Sequence, residues 1–512
     1  MSKSKKIATI ISYIQIAMNL LYGLLATPLL LRVLGPSEHG VYTLCTSIVS
    51  YLNLFQFGFG TTFIRYYIKY DTEGQSQQKE ELCGMFLEIF AIIAVITALV
   101  GAVLVCNIEA VFGGKISQEE YALARVLLAF VVANAVLAVV GIPFSALVTA
   151  HEEFVFQKGL SLAETGLKYI VLFPLLLLGY KSVALVAMST VFTCITLLFN
   201  VLFCLEKLHV TFRFTHFDKS LFKEISGFSF FVFLQSVMDI FNWQIDRFLL
   251  ARFCGSEQIS IYSVGAQFNS IFISIGATIT GFFVPLANQM VAKKEGDAAL
   301  SNLMIRVGRI QFILTTFLLS AFIFFGKPFL RIYAGSGYEN AYWVGVLLIA
   351  PLVLPLSMDL WYHIARAKAL HKTSTTVFAA VALLNLLVSI PLCKHYGEIG
   401  AAAGTCIGMF AANNIFQIWY AGHVVKLNMK KWAKNLLQMI PALIVPFIAG
   451  TLIMCFVSVH SLFSFVVWAV FYTVLSAASY WALAFNKQER DMVSRPILRL
   501  FNRIFPRRKS SQ

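Results

Sequence analysis

The chain has 512 residues, 59% of them hydrophobic and only 13% charged, with a net charge of +15. A soluble domain keeps about a quarter of its residues charged, so this composition excludes a water-solvated globular enzyme and requires lipid around most of the surface. Nine cysteines occur without a CxxC pair, mostly inside apolar runs, and read as small packing residues rather than a metal or disulfide framework.

A spanning helix needs about 20 mostly apolar residues, because the hydrocarbon core is about 30 Å thick. In chain order the apolar segments fall at 7–31, 41–63, 83–106, 122–147, 160–180 and 182–204. A second set falls at 226–250, 260–285, 308–326, 341–361, 374–393 and 398–421, followed by 436–458 and 460–484. The expectation is an all-α polytopic membrane protein of about 14 transmembrane helices. The first segment is too long for a signal-peptide core and lacks a small-residue cleavage pattern.

Lys and Arg set the orientation. On the side of the N-terminus the connecting segments and the span ends beside them hold 30 of them, against 8 on the other side, while Arg125 and Lys168 lie deeper within spans. Both termini are therefore expected in the cytoplasm, with the chain multi-pass in the membrane. The positive charge is most concentrated in the tail, "NKQERDMVSRPILRLFNRIFPRRKSSQ", whose eight basic residues suit anionic lipid headgroups rather than nucleic acid.

The stretch "RVLGPSEHGVY" (32–42) returns 220 residues later as "RFCGSEQISIY" (252–262). At that offset Gln15 meets Gln235, Met18 meets Met238, Arg32 meets Arg252, Gly35 meets Gly255, Tyr42 meets Tyr262 and His151 meets His371. Six spans per repeat is an even number, so the two six-helix bundles are expected to be related by pseudo-two-fold symmetry about the membrane normal. The expected organisation is an N-terminal bundle at 1–210, a C-terminal bundle at 211–424, two extra helices at 425–485 and the tail at 486–512. The stretch itself is then the short external turn between the first two spans, where Gly-Pro breaks the helix and Tyr re-enters at the interface.

Polar residues inside the spans are sparse and patterned. Ser12, Gln15, Asn19 and Tyr22 in the first span are spaced 3, 4 and 3 apart, and Gln235, Asp239, Asn242 and Asp246 in the seventh are spaced 4, 3 and 4. Each set occupies one helix face. A charge at the bilayer centre costs about 2.5–3.5 kcal/mol on insertion scales, so Asp239 should face protein or water. These eight residues are expected to line a central hydrated cavity; the alternative is interhelical hydrogen bonding that serves packing alone. Glu88, Arg125, Glu164 and Lys168 are further ionisable groups in or near spans, Glu164 and Lys168 being spaced to pair on one helix. Asp246–Arg247 reads either as a gate ion pair or as residues of a turn. "GAAAGTCIG" (400–408) is a small-xxx-small pattern, a packing surface and not a phosphate loop.

Two stretches, "LLLRVLGPSEHGVYTLCTSIVSYLNLFQFGFGTTFIRYY" (29–67) and "QIDRFLLARFCGSEQISIYSVGAQF" (244–268), resemble Wzx-type polysaccharide-export flippases of the multidrug/oligosaccharidyl-lipid/polysaccharide superfamily. Gln56 stands where that family pattern leads one to expect an acid before "FG". The resemblance implies a non-enzymatic transporter of the bacterial plasma (inner) membrane, without cofactor or metal. It implies movement of an undecaprenyl-pyrophosphate-linked oligosaccharide, an O-antigen, capsule or exopolysaccharide repeat unit, from the cytoplasmic to the outer leaflet. Implied partners are the lipid-linked substrate, membrane lipids, H+ or Na+ as coupling ion, and the polysaccharide polymerase and chain-length machinery. A pyrophosphate needs positive charge in a low-dielectric space; Arg32, Arg65, Arg125, Lys168, Arg247 and Arg252 are the candidates. Asp239 and Glu88 are the coupling-ion candidates.

Two rivals share the superfamily: a peptidoglycan-precursor lipid flippase, and a multidrug cation antiporter. The antiporter would be expected to carry an acid in the first span, and residues 7–31 hold no charge. A membrane glycosyltransferase would need a sizeable loop bearing carboxylates; the longest external loop is about 107–121 and the chain has no DxD.

Overall fold

A backbone in lipid has no water to bond, so every N–H and C=O must be satisfied inside the segment, which restricts spanning elements to helices or closed barrels. The structure, a computed structural model, describes residues 3–214, 219–368, 370, 372–457, 461–487 and 489–490, and among them every element is helical. The basic tail beyond 490 and His371 lie outside the described residues.

Helix α1 (Lys3–Leu52) holds the first two apolar segments and is broken at Gly35, where φ is 73° and ψ is 171°. That left-handed φ is one that only glycine adopts without strain, and Pro36 cannot donate back into the preceding turn. The second segment is itself interrupted: after a 3-10 turn at Asn53–Gln56, Phe57 and Gly58 turn left-handed before α2 (Phe59–Thr72) begins. Next come α3 (Ser76–Cys106), α4 (Ile108–Phe112) and α5 (Gln118–Ala150), the last opened by a capping box of Ser117 with Glu120. They are followed by α6 (Phe154–Leu177), α7 (Ser182–Leu202), α8 (Lys219–Trp243), α9 (Ile245–Phe253) and α10 (Ser256–Ala292).

The remainder is α11 (Asp297–Tyr333), α12 (Asn340–Ile349), α13 (Val353–Leu356), α14 (Leu360–Ala367), α15 (Lys372–Met409), α16 (Gln417–His423), α17 (Met429–Leu437), α18 (Pro441–Phe456) and α19 (Leu462–Ser479). Each of the fourteen apolar segments overlaps helix. By length and composition, nine helices among the described residues can cross a membrane, or eleven when two bent pairs count as spans. The number falls below fourteen partly because two of the nine runs carry a break, at Gly35 in α1 and at Gly397 (φ 58°) in α15, and so count once where the sequence suggests two.

The chain forms two compact units, residues 1–266 with 378–408, and residues 267–377 with 409–512. In the first, α5 packs against α3 and α7, and α1 against α6. An aromatic core of Phe59, Phe63, Tyr67, Phe86, Phe90 and Phe144 fills the space beneath α2. In the second, α11 is the central element, and Met304, Phe312, Trp361, Tyr420 and Trp432 share one core with it.

Two local features show how tightly the units are built. The glycine stripe of "GAAAGTCIG" lets the two halves of α15 touch. A Cβ on Gly400 would lie 1.9 Å from the Leu392 carbonyl oxygen, one on Gly404 2.3 Å from Ser389 Oγ, and one on Gly408 2.8 Å from Asn385 Cβ. In the second unit Arg309 meets Glu489 through two bonds of 2.6 and 3.0 Å, and also donates to the Ala484 carbonyl at 2.7 Å. The two side chains are only 8% and 2% exposed.

Both features predict stability effects. Gly404→Ala overpacks the contact with Ser389 and should lower the thermal midpoint of the detergent-purified protein, by about 1–3 kcal/mol in stability. Arg309→Ala leaves Glu489 buried and unpaired, at a cost of about 3–5 kcal/mol; a midpoint within error of the parent would refute that assignment.

Candidate functional site

The two copies of the recurrent stretch lie against each other. His39 Nδ1 is 2.8 Å from Ser260 Oγ, and both residues are buried. A Cβ on Gly40 would come within 1.8 Å of the Ser256 carbonyl oxygen, so the backbones touch and no larger residue fits. Glu120 joins both copies to α5: it accepts from the hydroxyls of Ser37 and Ser256 and from the Ser117 amide. Glu38 accepts from the Ser182 amide at 3.0 Å and from its hydroxyl at 2.6 Å. Arg252 donates to the Gly113 carbonyl at 3.4 Å.

Next to this contact lies a buried polar network. Asp246, at the start of α9, is 2% exposed. Its Oδ2 accepts from the Tyr262 hydroxyl of α10 and, at 2.6 Å, from the Thr405 hydroxyl of α15. Thr405 Oγ1 is also 3.4 Å from Asn385 Oδ1, which accepts from Ser389 Oγ at 2.9 Å. Asp246 Oδ1 is buried without a hydrogen-bond partner among the described residues. Arg247 does not close an ion pair with it; the guanidinium bonds Gln244 and, at 3.4 Å, Ser263. A carboxylate in a low-dielectric interior carries a large desolvation penalty unless a cation or proton compensates it. Asp246, Thr405, Asn385 and Ser389 thus form a continuous chain of hydrogen-bonded side-chain oxygens. No group of three or more His, Cys, Asp and Glu able to hold a metal occurs among the described residues.

The other sequence-derived candidates are placed as follows. On α1, Gln15 donates to Thr165 at 3.5 Å, Asn19 accepts from Tyr169 at 2.5 Å, and Tyr22 stacks on Tyr169 with centroids 3.8 Å apart. That stripe therefore faces α6, with Asn19 itself exposed and Ser12 half-buried. The side chains of Gln235, Asp239 and Asn242 lie outside the described residues.

The six cationic candidates do not converge on one spot. Arg32 and Arg65 are exposed. Arg125 pairs with Glu109 at 3.3 Å, and Lys168 pairs with Glu164 at 2.6 Å. Arg252 binds the Gly113 carbonyl as described, and only Arg247 sits beside the buried network. Glu88 is half-buried on α3.

Sequence reasoning missed Asn385, Ser389 and Thr405. A signal for the first two existed: they are the polar pair four apart in "LLNLLVSIPL" (383–392), on one helix face.

The fold matches solved transporters along nearly its whole length. A lipid II flippase, MurJ, in an inward closed conformation superposes with a TM-score of 0.71 at 15% identity, covering 93% of this chain and 99% of that one. An inward-facing multidrug resistance MATE family transporter of the MOP superfamily gives a TM-score of 0.59 at 14% identity, covering 80% and 98%. The Vibrio cholerae MATE transporter VcmN gives 0.53 at 15% identity, covering 83% and 99%. No curated protein sequence matches the chain. The family described as polysaccharide biosynthesis protein matches residues 5–291, more than half of the chain, and the protein belongs to that family.

Proposed function

We propose that this protein flips an undecaprenyl-pyrophosphate-linked oligosaccharide, a repeat unit of O-antigen, capsule or exopolysaccharide, from the cytoplasmic to the outer leaflet by alternating access. The observation that carries this reading is the family match over 5–291 on a fold shared with a lipid II flippase. In this reading the chain crosses the plasma membrane about fourteen times with both termini inside. It is organised as bundles at 1–210 and 211–424 with extra helices at 425–485, and the Gly35 and Gly255 junctions face outward. The polyprenyl tail stays in lipid while the sugar and pyrophosphate pass the α1 and α8 polar faces. Polymerase and chain-length proteins would receive the product. A peptidoglycan-precursor flippase is the second reading, favoured by the MurJ superposition. A cation antiporter is the third; the uncharged run at 7–31 disfavours it.

Ion coupling belongs at Asp246. A buried Oδ1 with no hydrogen-bond partner among the described residues, on a carboxylate that Thr405 links to Asn385, favours a monovalent cation such as Na+, which would neutralise the carboxylate and hold α9, α10 and α15 together. Release of the ion would leave a buried charge held only by the Tyr262 and Thr405 hydroxyls and so favour a rearranged, hydrated state. Asp239 and Glu88 are the competing positions.

Two measurements test these readings. In a strain lacking the gene, finished lipid-linked repeat units should accumulate on the cytoplasmic leaflet, out of reach of an external sugar-modifying enzyme. Return of the intact gene should restore access. Normal export with altered sensitivity to cationic drugs would move the protein to the antiporter reading. For coupling, Na+ should raise the thermal midpoint of the purified protein. Asp246→Asn should weaken that response roughly 5- to 150-fold in apparent affinity, the range expected from losing about 1–3 kcal/mol of buried polar interaction. An unchanged response in Asp246→Asn, with loss in Asp239→Asn or Glu88→Gln, would relocate the site.

A further inference from the structure

All nine cysteines are free, and two of them are neighbours in space: Cys254 Sγ lies 3.7 Å from Cys393 Sγ, across 139 residues of sequence. Cys254 caps α9 and is half-buried, whereas Cys393 is fully buried in α15. The thiol of Cys254 also points at the Cys393 carbonyl oxygen, 3.5 Å away. The adjoining residues hold the same two segments together, since Lys394 Nζ sits 4.8 Å from the Phe253 ring centroid. The two thiols are in van der Waals contact, and a disulfide would bring them to about 2.05 Å. Their helices are the ones that carry the polar network. Asp246 lies on α9, and Asn385, Ser389 and Cys393 recur every fourth residue along one face of α15.

We propose that Cys254 and Cys393 are a dithiol–disulfide pair, closed from the outer face of the membrane, that ties α9 to α15 beside Asp246. The outward position rests on the topology given above; the pairing itself does not.

The chemistry balances as thiol–disulfide exchange with a small or protein disulfide as the oxidant. The accessible Cys254, as thiolate, attacks one sulfur of the oxidant, forming a mixed disulfide and expelling the first oxidant thiol. Cys393 then attacks Cys254 Sγ; the Sγ–Sγ bond forms, the mixed disulfide breaks and the second oxidant thiol leaves. Two electrons pass to the oxidant, and the two protons lost by the cysteines end on its two thiols. Access orders the steps, because an oxidant can reach the half-buried Cys254 but not the enclosed Cys393.

The test uses intact cells expressing the full-length protein, exposed to glutathione disulfide, which does not cross the membrane, or to the permeant oxidant diamide. After alkylating quench, non-reducing peptide mass spectrometry should show one Cys254–Cys393 linked peptide under both oxidants, absent in Cys254→Ser and Cys393→Ser. The oxidised, purified protein should also melt at a higher temperature than the reduced one. Linkage by diamide alone would overturn the outward topology while the pair stands. Full alkylation of both thiols after either oxidant, or linkage to other cysteines, would overturn the pair. An unchanged midpoint in linked protein would overturn the tie between the helices.

Discussion

The close passage of Gly40 over the Ser256 carbonyl is the constraint on which the first compact unit depends. Two short junctions of similar sequence meet there without side chains between their backbones, and the surrounding hydroxyls and His39 supply partners for one another. Glu120 then ties both junctions to the first turn of α5, where its capping box already holds it in place. Small residues at a contact between membrane helices are favoured because lipid offers no hydrophobic drive for association, so backbone proximity and polar bonds must do the joining. The recurrence of the stretch therefore has a physical role: each copy is packing surface for the other.

The same junction positions a carboxylate where few membrane proteins place one. Asp246 is at the base of the second junction, and α15 reaches it with Thr405 because the glycines at 400, 404 and 408 let the two halves of that helix lie close. Asn385 and Ser389 are drawn in by the same contact. The charged form of such a group is costly in a low-dielectric interior unless hydrogen-bond donors or a cation compensate it. Arg247, its neighbour in sequence, is occupied with Gln244 and Ser263. The hydroxyls of Tyr262 and Thr405 are the hydrogen-bond donors that Asp246 has in its place.

Particular residues mark how far the sequence could be read. The helical breaks were legible at "LGPSEHG", since Gly-Pro disrupts a helix whatever surrounds it, and Gly35 has the left-handed backbone that this requires. The pairing of Glu164 with Lys168 was legible from their spacing and is present at 2.6 Å. The interruption at Phe57 and Gly58 was not, because its apolar flanks hide a turn inside a hydropathy window. The stripe of Gln15, Asn19 and Tyr22 was correctly assigned to one face, but periodicity does not name the neighbour, which is α6. The cationic candidates were chosen by type alone, and the structure gives most of them separate local partners.

By itself the sequence determined the class of solvent, the helical segments, the bend at Gly35 and the likeness of the two junction sequences. These follow from local chemistry: apolar length against bilayer thickness, backbone freedom, and residues a turn or two apart. Only the tertiary structure decided that Asp246 meets Thr405 across 159 residues, that Cys254 touches Cys393, and that Arg309 holds Glu489. Those contacts depend on which faces of distant helices come together. In a chain this apolar many faces look alike, and the choice among them is made by the few close glycine contacts and buried polar bonds that no local pattern specifies.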